Sequence, residues 1–142
     1  MSYLIDVNVW LALLSERHQH HGAAPDWFER AGEREAVLCR VTQMGFLRLL
    51  TRRAVMQDDV VEPAEAIRVA TRLRADDRVV FASEPQGLEK LWFEKMHAPH
   101  TGSGSWTDAY LAAFAESYGL TLISMDGGFG RWASLDFLHL KP

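Results

Sequence analysis

Apolar residues along this chain follow two alternating rhythms. Short, mostly apolar runs at residues 3–5, 35–39, 79–81, 121–125 and 137–140 read as strands. Between them lie longer segments whose apolar residues recur every three or four positions, the helical interval. One helix is predicted to run from an Asn8 cap to Leu14, and a second over 24–31 with Pro25 in its first turn. A third, capped by Thr42, carries Phe46, Leu47, Leu49 and Leu50. Pro63 opens a fourth, with a stripe of Ala66, Ile67, Ala70 and Leu73. Residues 87–96 present Leu88, Leu91 and Trp92, and residues 107–118 form the clearest helix, stopped by Gly119.

Strands that are apolar throughout are buried on both faces, and their alternation with helices calls for a parallel sheet. The expected architecture is therefore an α/β fold, a three-layer α/β/α arrangement around a central parallel sheet. No internal repeat or composition break divides the chain, so residues 1–142 are expected to form a single domain. The polar stretch 15–21 reads as a connection. Residues 97–105 (HAPHTGSGS) read as a flexible one, longer than a plain connector requires.

Composition narrows the function only a little. A net charge of −4 argues against a protein that coats nucleic acid through bulk electrostatics. It leaves room for a locally basic site, and Arg40, Arg48, Arg52 and Arg53 fall in one stretch without an acid. The single cysteine, Cys39, lies in an apolar run and is expected to be a buried thiol, in keeping with a reducing cytoplasm. Asp6 and Asn8 interrupt the apolar N-terminus and no basic residue precedes it, so no secretory leader is expected. No apolar run has the length of a membrane span.

The chemistry is expected at the carboxyl ends of the strands, where open α/β sheets bind ligands. Asp6 closes the first strand and Asp126 the fourth. Asp108 sits three residues before Leu111, which extends the buried stripe of its helix (Leu111, Phe114, Ala115, Tyr118) into the first turn. Three carboxylates at one sheet edge repel one another unless a cation joins them. Oxygen-only ligands suit Mg2+ or Mn2+, and such a site suits phosphodiester hydrolysis. Each acid also has a bland reading: Asp6 as a helix cap, Asp126 in an Asp-Gly-Gly turn, Asp108 as a helix N-terminal acid.

Four segments carry a family resemblance. Leu4-Ile5-Asp6-Val7-Asn8-Val9-Trp10, Thr42-Gln43-Met44-Gly45-Phe46-Leu47-Arg48, Thr107-Asp108-Ala109-Tyr110-Leu111 and Ser124-Met125-Asp126-Gly127-Gly128-Phe129 resemble, in order and spacing, the signature segments of PIN-domain ribonucleases. They look most like the VapC toxins of type II toxin–antitoxin systems. The resemblance implies a cytoplasmic Mg2+- or Mn2+-dependent endoribonuclease that acts on RNA, forms a homodimer and is inhibited by a VapB-type antitoxin. It carries metal binding over to Asp6 and Asp108, with Asp126 as a further acid and Asn8 and Thr107 as supporting polar positions. Gln43 stands where the family commonly has glutamate, and is expected in the site without bringing a charge.

Arg40, His97, His100 and Trp106 are further candidates for contact with substrate phosphate or bases. His18, His20 and His21 invite a zinc reading, but no two stand four apart and no cysteine is near, which favours a solvated loop. Two alternatives remain open at this point. One is a catalytically inactive PIN-like binding module, which Gln43 keeps in play. The other is a metal-dependent phosphatase, although a covalent aspartyl mechanism wants an acid where Asn8 stands.

Overall fold

The structure, a computed structural model, describes residues 2–15, 22–99 and 101–141. Five short strands, β1 (Tyr3–Ile5), β2 (Ala36–Leu38), β3 (Val79–Phe81), β4 (Thr121–Ser124) and β5 (Phe137–His139), form one sheet in the order β3-β2-β1-β4-β5. Every neighbouring pair is parallel. Helices α1 (Val7–Leu14) and α2 (Ala23–Arg30) lead from β1 to β2. Helices α3 (Arg40–Leu50), α4 (Arg53–Met56) and α5 (Pro63–Ala75) lead to β3, and α6 (Leu88–Met96) and α7 (Trp106–Tyr118) lead to β4. Among the described residues, no helix is long and apolar enough to cross a membrane.

Successive strand residues point to opposite faces, and the core divides accordingly. Leu4, Val37 and Leu122 face α6 and α7, packing with Leu88, Leu111, Phe114 and Trp132. Ile5, Ala36, Leu38 and Ile123 face the other way, onto Val9, Trp10, Phe46, Leu50 and Leu73. Each fully buried large aliphatic or aromatic side chain contributes roughly 1.5–3 kcal/mol. The two clusters make this the expected three-layer fold. The chain winds outward from β1 through β2 to β3, then crosses back to β4 and β5. That reversal opens a crevice beyond the carboxyl ends of β1 and β4, where Asp6 and Asp126 stand.

Several local expectations give way to the structure. Asp6, not Asn8, caps α1: its backbone is extended and its carboxylate accepts the Val7 N–H. Helix α3 begins two residues before Thr42, with Cys39 at the cap. Thr42 folds back from the first turn, accepting the Cys39 N–H at 3.2 Å and donating to the Cys39 carbonyl at 3.0 Å. Helix α5 buries Ala66, Ala70 and Leu73 but leaves Ile67 61% exposed, because Ile67 lies at the flank of that stripe. Tyr118 is likewise exposed at the end of α7.

The four-residue α4 is too short to show a periodicity in sequence. Residues 97–105 are more ordered than expected where described. Thr101 Oγ1 donates to the carbonyls of Met96 and Ala98 at 2.8 and 2.9 Å, and Ser103–Ser105 form a 3-10 turn leading into α7. His18, His20, His21 and His100 lie outside the described residues.

Candidate active site

The site grows from the pairing of β1 with β4. Their register sets Ile5 opposite Ile123, so the next residues on each strand, Asp6 and Ser124, meet at the crevice. The Asp6 carboxylate is buried. Its Oδ1 accepts the Val7 N–H at 2.7 Å, and its Oδ2 accepts the Ser124 hydroxyl at 2.6 Å. Ser124 Oγ in turn accepts from the Asp126 N–H at 2.9 Å and from Asn8 Nδ2 at 3.3 Å. A hydroxyl has one proton to give and two lone pairs, and this one uses all three. Asn8 closes the ring by accepting the Met125 N–H at 3.2 Å. Asn8 therefore ties α1 to the end of β4.

Asp126 is exposed and caps the short 3-10 turn Gly127–Arg131, accepting the Gly128 N–H at 2.8 Å. Asp108 occupies the first turn of α7, half-buried, and its carboxylate accepts no hydrogen bond among the described residues. Burial pushes Asp108 up to about 6, and the charges of Asp6 and Asp126 push the same way, against the counter-charge of Arg131. Asp6 is also held above its ordinary value by burial, with Asp126 adding to the effect while its bonds to Ser124 and Val7 oppose it. The three acids thus share one electrostatic pocket.

Sharing a field is not the same as forming a cage. Among the described residues, no group of three or more His, Cys, Asp or Glu side chains is arranged to hold a metal ion by itself. Asp126 turns one oxygen onto its own turn. The donor chemistry nonetheless fits a magnesium-like cation, which takes one or two carboxylates and fills its shell with waters and phosphate oxygens. Among the described residues, no lysine or arginine forms an ion pair with Asp6, Asp108 or Asp126. Their negative charge is left for something from outside.

The structure also reveals two residues that sequence reasoning missed. Ser124 is one; a lone serine ending an apolar strand carries no signal beyond the need of a buried hydroxyl for partners. Arg131 is the other. Its Nε donates to the Gly128 carbonyl at 2.6 Å and its Nη1 to Ser105 Oγ at 2.8 Å, while the guanidinium lies 4.7 Å from the centre of the Trp132 ring. Arg131 thereby ties the start of the Asp108 helix to the Asp126 turn. Gly128 permits this, since a Cβ there would come within 2.5 Å of Arg131 Nη2. The Gly-Gly pair was the legible trace of that close approach.

The remaining candidates are dispersed. Gln43 is buried on α3, and its Oε1 accepts a hydrogen bond from Arg40, not from any group of the acidic pocket. Arg40 stands exposed at the start of α3, its guanidinium 4.7 Å from the centre of the Phe81 ring. Thr107 and His97 are exposed. Trp106 is 48% exposed, its ring edge-on to Trp92 at 6.0 Å and Phe93 at 6.4 Å, and its carbonyl accepts Trp92 Nε1–H at 2.8 Å.

Comparison with known proteins places this geometry. Residues 3–135 match the model of the PIN domain. The chain is 36% identical over 138 residues to Ribonuclease VapC41 of Mycobacterium tuberculosis, covering 94% of each chain. It is 32% identical over 132 residues to Ribonuclease VapC29 of the same organism, covering 92% of this chain and 90% of the relative. Among solved structures, Mycobacterium tuberculosis VapC20, a sarcin-ricin loop cleaving toxin, superposes with a TM-score of 0.71 at 21% identity, covering 99% of this chain and 100% of that one. VapBC2 from Rickettsia felis, bound to a DNA fragment from its promoter, gives a TM-score of 0.71 at 10% identity, over 97% and 98%. At those identities the superpositions speak to the fold alone.

Proposed function

The chain belongs to the PIN-domain family, on its VapC branch, and from that premise we propose that it is a divalent-metal-dependent endoribonuclease acting as the toxin of a VapB-type toxin–antitoxin pair. One observation carries the reading: the buried Asp6 carboxylate, fixed by Ser124 and the Val7 N–H, shares its pocket with Asp126 and with Asp108 in the first turn of α7, and burial with the charges of the other two acids pushes Asp108 up. A pocket that gathers three carboxylates, which the Arg131 charge opposes but does not pair with, is suited to a cation. The names of the relatives, ribonucleases across nearly their whole length, supply the substrate class.

Asp6 and Asp108 would hold the ion, with Asp126 adding a ligand directly or through water. When bound, Mg2+ or Mn2+ supplies Lewis acidity toward the phosphate and a water of lowered pKa. The chain's own residues do the rest. Ser124 and the Val7 N–H each hold one oxygen of the Asp6 carboxylate. Asn8 holds the end of β4 against α1, and Arg131 sets the Asp126 turn against the start of α7. Trp106 and Thr107 open the helix that carries Asp108, His97 follows α6, and Arg40 stands at the start of α3, after β2. Water attack in line with the leaving 3′ oxygen yields a 5′-phosphate and a 3′-hydroxyl.

The protein acts in the cytoplasm as a homodimer of one PIN domain per chain. Its antitoxin inhibits by placing a basic side chain in the acidic pocket, the natural competitor for a cation site. The test is cleavage of RNA by the purified protein with and without EDTA, beside Asp6→Asn and Asp108→Asn. Both variants are expected to lose more than the roughly 10–100-fold typical of an outer-shell change at a metal site. Cleavage that survives EDTA, or that leaves 2′,3′-cyclic ends, would sink the scheme.

A further inference from the structure

On the other flank of the sheet edge, Arg40 and Arg74 approach the same ring. Their guanidinium carbons lie 4.7 and 4.4 Å from the centre of Phe81, the last residue of β3. Between α3 and α5 they border a groove of about 450 Å³, whose floor includes Gln43, Leu47 and Thr71. We propose that Arg40 and Arg74, braced on Phe81, form a binding subsite for a backbone phosphate of the RNA, displaced along the sheet edge from the cleavage centre. The inference rests on the RNA-cleaving reading and names where the strand lies.

The pairing pattern sets these two arginines apart. Helix α5 carries three arginines, and two of them, Arg68 and Arg72, share Glu65 at 2.7 and 3.4 Å. Arg78, just beyond, pairs with Asp76 at 2.7 Å. Arg74 and Arg40 form no ion pair among the described residues, although they converge on one ring. Glu84, which lines the adjoining cleft with Arg40, accepts the Tyr110 hydroxyl at 2.9 Å and keeps its charge, but forms no ion pair with Arg40. Arg40 also sits at the positive end of the α3 dipole, where a cation does nothing for the helix. Gln43 steadies it instead.

Two like charges that border one groove, neither of them in an ion pair among the described residues, make an anion site. A contact with the ring uses the guanidinium's charge but not its N–H donors; Arg40 gives one of these to Gln43, and the others can meet phosphate oxygens. Placement supports the same reading. In the sheet order β3-β2-β1-β4, Arg40 follows β2 and Phe81 ends β3, one and two strands from Asp6. At roughly 4.8 Å per strand, that is about 5–10 Å along the edge. The carboxyl edge therefore carries Arg40 and Arg74 beside β2 and β3, and Asp6 and Asp126 at the ends of β1 and β4. A strand crossing it would meet phosphate-holding arginines on one side and the metal pocket on the other.

The experiment is equilibrium binding of a short single-stranded 2′-O-methyl RNA oligonucleotide to the full chain in EDTA, followed by anisotropy across a KCl series. For single strands, each phosphate contact contributes about 0.7 to the slope of log K against log salt. Arg40→Ala and Arg74→Ala are each expected to lower the slope, and the double variant to lower it by about 0.7, the share of the one phosphate they hold together. Arg40→Lys and Arg74→Lys, which keep the charge, should restore it, and Arg72→Ala should leave it unchanged. Alanine variants that remain folded and keep the wild-type slope overturn the subsite, and if the wild type still cleaves RNA the nuclease reading stands. Unchanged RNA slopes with lost binding of an antitoxin peptide reassign the pair to a protein partner and also overturn it. A wild type that neither binds the oligonucleotide nor cleaves RNA overturns both.

Discussion

Ser124 gives its only hydroxyl proton to Asp6, 118 positions away in sequence, at 2.6 Å. The same oxygen receives the Asp126 N–H and the Asn8 amide, so one side chain sets the orientation of an acid at the end of β1 and the turn after β4. Replacing it with alanine leaves Asp6 Oδ2 and two donors without their partner. Ser124→Ala is expected to destabilise the fold by about 1–3 kcal/mol and to weaken Mn2+ binding by roughly 10–100-fold. Denaturant titration and calorimetry with Mn2+ test the two effects separately. Metal affinity equal to wild type would mean that Asp6 needs no such support.

The raised Asp108 inverts the usual pH behaviour of an aspartate. Its value stands at about 6 against an ordinary 3.8, so between those values the folded protein binds more protons than the unfolded chain. Its contribution to stability in the absence of metal therefore improves as pH falls through about 6 and worsens toward neutrality. The buried Asp6 is shifted in the same direction. Asp108→Asn should raise the melting temperature at neutral pH in EDTA, with the gain shrinking as pH falls to about 5. Mn2+ binding to the wild type, which needs the carboxylates deprotonated, should weaken progressively below about pH 6. A melting temperature that is the same for variant and wild type at neutral pH would contradict the buried-charge account.

Gln43 is held by Arg40, and this changes what a glutamate at that position can do. In Gln43→Glu the new carboxylate meets a guanidinium already in place and pairs with it. The single variant is expected to leave Mg2+ affinity within about twofold of wild type, since the pair cancels its charge. Gln43→Glu with Arg40→Ala should bind Mg2+ more tightly than the single variant. Isothermal titration of the four combinations measures the coupling. Tight binding by the single variant would show that the arginine lets go.

Gly128→Ala would place a Cβ 2.5 Å from Arg131 Nη2 and 3.1 Å from Asp126 Oδ1. The guanidinium cannot simply swing aside, because it is anchored to the Gly128 carbonyl and to Ser105. Gly128→Ala and Arg131→Ala should each weaken Mn2+ binding by roughly 10-fold or more, and the double variant should do little worse than either. Additive losses in the cycle would show that the two positions act independently.

What could be read in advance followed physical necessity. A strand buried on both faces must be apolar throughout, so Leu4-Ile5 and Leu122-Ile123 announced a parallel sheet, and the acids after them announced its working edge. Helix starts were less legible. Asp6 and Asn8 are both good caps, and only the backbone at Asp6 decided between them. Ile67 matched the apolar rhythm of α5 but borders the open groove between α3 and α5. Partners that depend on the strand order, such as Ser124 with Asp6, Arg131 with Ser105 and Arg74 with Phe81, leave no local trace. Gln43 was expected beside the acids from its position in a motif, and its side chain instead binds Arg40.

Because β1 opens the sheet in sequence and its neighbour β4 follows only after three crossovers, no early stretch of the chain contains the pocket. A nascent or truncated product that stops short of β4 lacks Ser124 and Asp126 and leaves one side of Asp6 bare. With the site as proposed, no activity is expected until β4 has slotted in beside β1. Folding and arming are one event, and two fragments split before α6 should acquire activity only when they find each other.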